Sequence, residues 1–189
     1  MSSSLLPNLG PAQVLFGPAG VEYDLGKTKE VDFKLTETVA EVTYDQTGES
    51  PYDEVISGRK VEADCNFGDL SYTLFNSVLS GQGGAWWSTQ VTPSATASAE
   101  AFDIRTGIGT SKRNIAQSLV LRPYSGPNTP STDSEDWITI PVCAPKLDAS
   151  LRFDPKTQRV LKCTFVGYPV SVALPRIAFL GASAQLPLA

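Results

Sequence analysis

The chain has 189 residues, and 15 Lys+Arg against 20 Asp+Glu give a formal charge of −5, a balance that argues against unaided nucleic-acid binding. Hydrophobic residues at 41% and charged residues at 19% are ordinary for a globular domain, while 15 Gly and 14 Pro exclude a coiled coil and point to frequent turns. With no histidine, the commonest general base, metal ligand and pH switch are missing together.

At the amino end no basic stretch precedes Leu5-Leu6, so no export signal is expected. Val14-Leu15-Phe16 reads as a short strand stopped by Gly17-Pro18-Ala19-Gly20, and Val21, Tyr23 and Leu25 resume an alternation that ends at Gly26. Val31, Phe33 and Leu35 alternate with Asp32, Lys34 and Thr36; Val39, Val42 and Tyr44 continue the strand with one break in phase, the mark of a bulge or bend. A polar loop, Asp45 to Glu54, carries Gly48, Ser50 and Pro51 and is too long for a tight hairpin. From Val55 to Phe67 the alternation is the cleanest in the chain, with Val61, Ala63, Cys65 and Phe67 on one face and Lys60, Glu62, Asp64 and Asn66 on the other.

Asp69 is placed as the N-cap of an amphipathic helix whose apolar stripe is Leu70, Leu74, Phe75, Val78 and Leu79, with Gly81 at its carboxyl end. At about 11 residues it depends on packing against a sheet. Residues 82–100 turn Gly-, Ser-, Thr- and Ala-rich around Trp86-Trp87, and read as a surface arm or long loop. Strands are expected at Ala101–Ile108, Ile115–Arg122, Trp137–Cys143, Leu147–Phe153 and Arg159–Tyr168, with a break over Pro123–Asp136. The apolar segment 169–189 is interrupted by Pro175, Arg176 and Pro187, which argues against membrane insertion. The expected fold is mainly β: an antiparallel β-sandwich or barrel with one flanking α-helix and long loops, in a single domain over 1–189. Its appendages are an N-terminal arm (1–12), the long loop (44–57), the Trp-bearing arm (82–100) and the apolar C-terminal segment (169–189).

Residues with chemical potential are few. Cys65, Cys143 and Cys163 are widely spaced and read as buried thiols. Asp45, Glu49, Asp53 and Glu54 are the tightest carboxylate cluster, but they lie in a loop with no fixed scaffold beside them in sequence, so solvation is favoured over glycosidase chemistry. Asp133, Glu135 and Asp136 lack the spacing of a calcium loop. Gly107-Ile108-Gly109 before Lys112-Arg113 lacks the spacing of a phosphate-binding loop. Trp86 and Trp87 are assigned to a subunit-interface arm ahead of sugar or base stacking. No enzyme activity, cofactor or metal is expected.

The order of these elements carries a resemblance. A short strand with a Gly-Pro turn over Gly10–Gly26, the segment Asp45-Gln46-x-Gly48-x-x-Pro51-x-Asp53-Glu54-Val55-x-x-Gly58-Arg59-x-Val61, and the helix 70–79 together resemble the major tail protein, or tail tube protein, of long-tailed bacteriophages. The resemblance covers about the first 80 residues and, more loosely, the later strands. It implies a structural virion protein whose rings, typically hexameric, stack into the hollow tube through which DNA is ejected. It also implies that the loop 44–57 reaches the adjacent ring, so Asp45, Gln46, Gly48, Glu49, Pro51, Asp53 and Glu54 are the inter-ring candidates. The implied partners are further copies of the chain, a tape-measure protein, a tail terminator and a baseplate protein, with DNA only as passing cargo. The implied location is the phage tail, after synthesis in the host cytoplasm. Since DNA carries about one charge per 1.7 Å, a bore that lets it slide is expected to be acidic. Asp32, Glu41, Glu62 and Asp64 are the candidate lumen acids. The alternative from another class is a non-catalytic β-sandwich that binds carbohydrate or attaches to a surface through Trp86 and Trp87.

Overall fold

The computed structural model describes residues 11–26, 28–42, 53–68, 87–91, 101–104, 111–148, 161–173 and 175–182. Eleven strands are assigned among them: β1 (Ala12–Gly17), β2 (Tyr23–Asp24), β3 (Thr28–Val42), β4 (Asp53–Phe67), β5 (Trp87–Val91), β6 (Ala101–Ile104), β7 (Gln117–Gly126), β8 (Thr129–Pro130), β9 (Ile138–Asp148), β10 (Leu161–Gly167) and β11 (Phe179–Leu180). Nine form one antiparallel sheet with the path β2-β1-β7-β9-β10-β4-β3, to which β8 adds on β7 and β11 on β9; β5 and β6 make a separate two-stranded ribbon. The helix expected over 70–79 and the loop residues 43–52 lie outside the described residues, among which the one helical element is a 3-10 turn at Ser134–Asp136.

The two terminal strands of the path are not paired with each other, so the sheet is open rather than a closed barrel. It is nevertheless strongly curled. Phe16 on β1 and Phe165 on β10 are separated by β7 and β9, which on a flat sheet puts them about 14 Å apart. Their ring centroids are 5.2 Å apart. Farther along the path, Thr28 Oγ1 of β3 donates to the Ala12 carbonyl of β1 at 2.5 Å. Curling brings one face of six strands into a single core: Val14 and Phe16, Val31, Val61 to Phe67 in alternation, Leu119 and Leu121, Ile138 and Ile140, and Cys163 and Phe165. All three cysteines are buried and free, as the sequence suggested.

Proline placement corrects two expected strand ends. β7 does not stop before Pro123; it continues to Gly126, where Pro127-Asn128 form the turn into β8 and Asn128 adopts the left-handed φ of 57°. The expected strands at Trp137–Cys143 and Leu147–Phe153 are one strand as far as Asp148. Pro141 is tolerated because it sits at a register shift, between Leu119↔Ile140 and Gln117↔Cys143. Pro145 pairs with Phe165 of β10, and its carbonyl accepts from Lys112 Nζ at 3.1 Å, on the side where β7 has ended and no ladder donor is required. After β10 the chain returns as β11 to cover the end of β9, and Ile177 and Ala178 pack against the core. Within the apolar C-terminal segment, Phe179–Leu180 therefore belong to the sheet.

Candidate functional site

β3 and β4 are each 15 residues long, far longer than the core they flank. Their pairing runs from Thr28↔Phe67 to Val42↔Asp53. Only the proximal part is buried: past Phe33 on β3, and before Val61 on β4, nearly every residue is exposed on both faces. At about 3.3 Å per residue, Lys34–Val42 carries this ribbon roughly 30 Å beyond the core.

The ribbon is not polar throughout. Leu35, Val39, Val55 and Ile56 are 65%, 44%, 52% and 49% exposed. The phase break expected in β3 between Val39 and Val42 is not a bulge there, where the register is continuous; the irregularity lies in β4, where Ser57 is the extra residue between Thr38↔Gly58 and Val39↔Ile56, and its hydroxyl donates to the Thr38 carbonyl at 2.9 Å. This bulge has a chemical consequence. In unbroken register Val39 would face Ser57; the extra residue instead brings Ile56 beside Val39, on the face that also carries Leu35. Val55 pairs with Ala40 on the opposite face. Arg59 Nε and Glu37 Oε2, 2.7 Å apart, form an exposed ion pair between Leu35 and Val39, a contact of little stabilising value alone. A two-stranded ribbon with water on both faces is marginal by itself.

The ribbon end is acidic. Glu41 lies directly opposite Glu54, and Val42 opposite Asp53. Like charges facing across a ladder are destabilising. Among the described residues none of these three carboxylates has a cationic partner, whereas Asp32, Glu37, Glu62 and Asp64 of the same hairpin do.

The four candidate lumen acids are not gathered into one acidic strip. Asp32, Glu62 and Asp64 share the face turned away from the core, but Glu41, of opposite parity, lies on the other face at the ribbon end. Asp32 and Asp64 are direct cross-strand partners, and Lys34 Nζ sits between them, 3.1 Å from Asp32 Oδ2 and 2.8 Å from Asp64 Oδ2. Thr164 Oγ1 also donates to Asp64. The Lys34 hydrogen bond, with the Thr164 hydroxyl, holds the Asp64 carboxyl below its usual range; the same bond to Asp64, then Asp32, raises Lys34. Glu62 pairs with Lys60 at 2.7 Å, and Lys162 lines the shallow cleft beside Asp64. Mixed charge, not a negative stripe, characterises this face.

Of the inter-ring candidates, Asp53 and Glu54 open β4. Asp45, Gln46, Gly48, Glu49 and Pro51 fall outside the described residues, as does Trp86. Trp87 begins β5, so part of the expected arm is a strand, joined to β6 by the pairs Trp87↔Ile104 and Ser88↔Asp103.

Sequence reasoning missed a second surface feature, a cleft of about 600 Å³ on the outer face of β7 and β9. The turn at Ala19–Glu22, the residues around Ser134 and Trp137, and the chain from Phe179 to Ala182 enclose it. Arg122 lies in it with its guanidinium carbon 3.8 Å from the Trp137 ring centroid. Trp137 is held in place by its own Nε1–H, which donates to the Ser131 carbonyl at 3.1 Å. Arg122 followed three apolar residues, Leu119 to Leu121, in a strand apolar on both faces; that lone cation was the one available signal.

No family model matches the chain, and no curated protein is similar to it.

Proposed function

We propose that the chain is a structural subunit that joins copies of itself into stacked rings, forming a hollow tube of the phage-tail kind. The observation that carries this reading is the β3–β4 ribbon: paired over its whole length, projecting past the core, and exposing apolar residues on both faces together with unpaired acids. Such a feature gains stability when a neighbour covers it. The edge supports the same reading. β3 is the last strand of the sheet path, and no proline interrupts Thr28–Val42, so among the described residues its outer backbone groups are available to another strand.

A ring requires a side-to-side contact that closes by rotation, and stacking requires a separate axial one. In this reading the sheet edge serves the first and the ribbon end the second. The finer architecture goes with it: a β-sandwich or barrel completed by a flanking helix over 70–79, six subunits per ring, and a place in the virion after synthesis in the host cytoplasm. DNA passes through as cargo, and tape-measure, terminator and baseplate proteins meet the tube. The subunit carries no active site. The Lys34 bridges alter one detail, since an acidic bore would draw on acids beyond Asp32 and Asp64.

Negative-stain microscopy of the purified chain over a concentration series tests the proposal. Rings or tubes are expected. Single particles at every concentration, or sugar-dependent tryptophan quenching by a monomer, would overturn it in favour of a binding module.

A further inference from the structure

The Arg122 cleft contains a charge that has no ion-pair partner among the described residues. Arg122 Nε is sealed from solvent and has no hydrogen-bond partner among the described residues. A buried donor left unmade is costly, and a guanidinium is a planar fork suited to carboxylates. Stacking on Trp137 fixes the plane of that fork. A second guanidinium, that of Arg176, lies 6.0 Å from the ring centroid of Phe179, which forms part of the wall. The acid among the described residues that line the cleft is Glu22; its Oε1 accepts from the Gly20 backbone N–H at 3.0 Å and is thereby turned toward its own turn. Apolar surface from Val120, Pro141 and Phe179 surrounds the charged group.

The ribbon end is its chemical complement. Glu41 and Glu54 face each other without a cation, and Val39 and Ile56 lie immediately behind them. We propose that the Arg122–Trp137 cleft receives the acidic end of the β3–β4 ribbon of a second copy of this chain, with a carboxylate of Glu41 or Glu54 settling on the guanidinium and Val39 and Ile56 meeting the apolar wall. Docking gives the Arg122 guanidinium an anion and relieves the Glu41–Glu54 repulsion in one contact. This inference rests on the self-assembly proposed above and adds to it an address: which surface the ribbon meets.

Charge exchange on the full-length chain tests it, read by sedimentation velocity over a concentration series. Glu41→Lys with Glu54→Lys, both on the exposed ribbon, is expected to raise the concentration for half-assembly about tenfold or more, and Arg122→Glu to do the same. Combining all three substitutions in one chain restores opposite charges across the contact and is expected to recover most of the loss. Should Arg122→Glu abolish cooperative unfolding, Arg122→Gln, which keeps a flat polar group on Trp137, takes its place and is expected to weaken assembly in the same direction. Assembly of the Glu41/Glu54 variant at the parent's concentration overturns the inference while leaving the tube reading intact. So does a combined variant that assembles no better than its components. A parent chain that never associates overturns both.

Discussion

The contact between Phe16 and Phe165 reports directly on how tightly the sheet curls. Both side chains are fully buried, and their rings meet at 5.2 Å with an interplanar angle of 51°. Replacing either by Leu retains most of the buried volume and is expected to cost on the order of 1 to 2 kcal/mol. A tilted aromatic pair contributes about 0.5–1.5 kcal/mol beyond area burial, so Phe16→Leu and Phe165→Leu are expected to couple by that amount in a double-mutant cycle. A domain stable by roughly 5–15 kcal/mol tolerates the double variant, so all four proteins remain measurable. Urea unfolding followed by tryptophan fluorescence supplies the free energies. Additivity within about 0.3 kcal/mol would refute the curled geometry, because on a flat sheet the two residues, three strand spacings apart, do not touch.

Further outcomes follow from the same structure. Gly167→Ala places a Cβ 2.9 Å from Ile177 Cγ2 and 3.0 Å from Ile140 Cγ2, so it is expected to destabilise by about 1–3 kcal/mol, with Ile177→Val recovering part of the loss in thermal unfolding. The native chain is expected to resist thiol alkylation at neutral pH until it unfolds, since burial pushes Cys163 up to about 12 and raises Cys65 and Cys143 well above the ordinary thiol range; rapid labelling of native protein would contradict the core. Because the Asp64 carboxyl titrates lower in the fold than in the unfolded chain, the unfolded state takes up its proton first. Its stabilisation is present above the unfolded value of about 3.9 and is lost as pH falls through the folded value. Asp64→Asn is therefore expected to flatten the acid limb of a stability–pH curve, and an unchanged limb would remove the Lys34–Asp64–Thr164 cluster from that role.

What was legible in the sequence was periodicity. The alternation Val61, Ala63, Cys65, Phe67 set the buried face of β4 correctly, and Val31 with Phe33 did so for the inner half of β3. The outer halves were misleading, because Leu35 and Val39 keep the period of a buried face while standing in water, and Val55, in phase with Val61, is turned to the opposite face by the bulge at Ser57. Periodicity reports a side-chain face, and only tertiary structure decides whether anything covers it. Proline was over-read as a breaker at Pro123, and β9 runs through Pro141 and Pro145 because a bulge and a strand overhang absorb their missing donors. Strand order was not accessible at all: β1 pairs with β7 and β4 with β10, over separations that no local pattern encodes. The Arg122–Trp137 stack belongs to the same class, since its two residues sit on different elements and meet only after β7 and the segment before β9 are in place.

The central claim is that this molecule works by self-assembly through its projecting ribbon. The most direct measurement compares the parent chain with a Leu35→Ser, Val39→Ser, Ile56→Ser variant by sedimentation velocity and negative-stain microscopy. All three side chains are exposed in the single subunit, so the variant is expected to unfold at nearly the parent's midpoint. The account predicts rings or tubes for the parent and single subunits for the variant; a variant that builds the same tubes, or a parent that builds none, would contradict it.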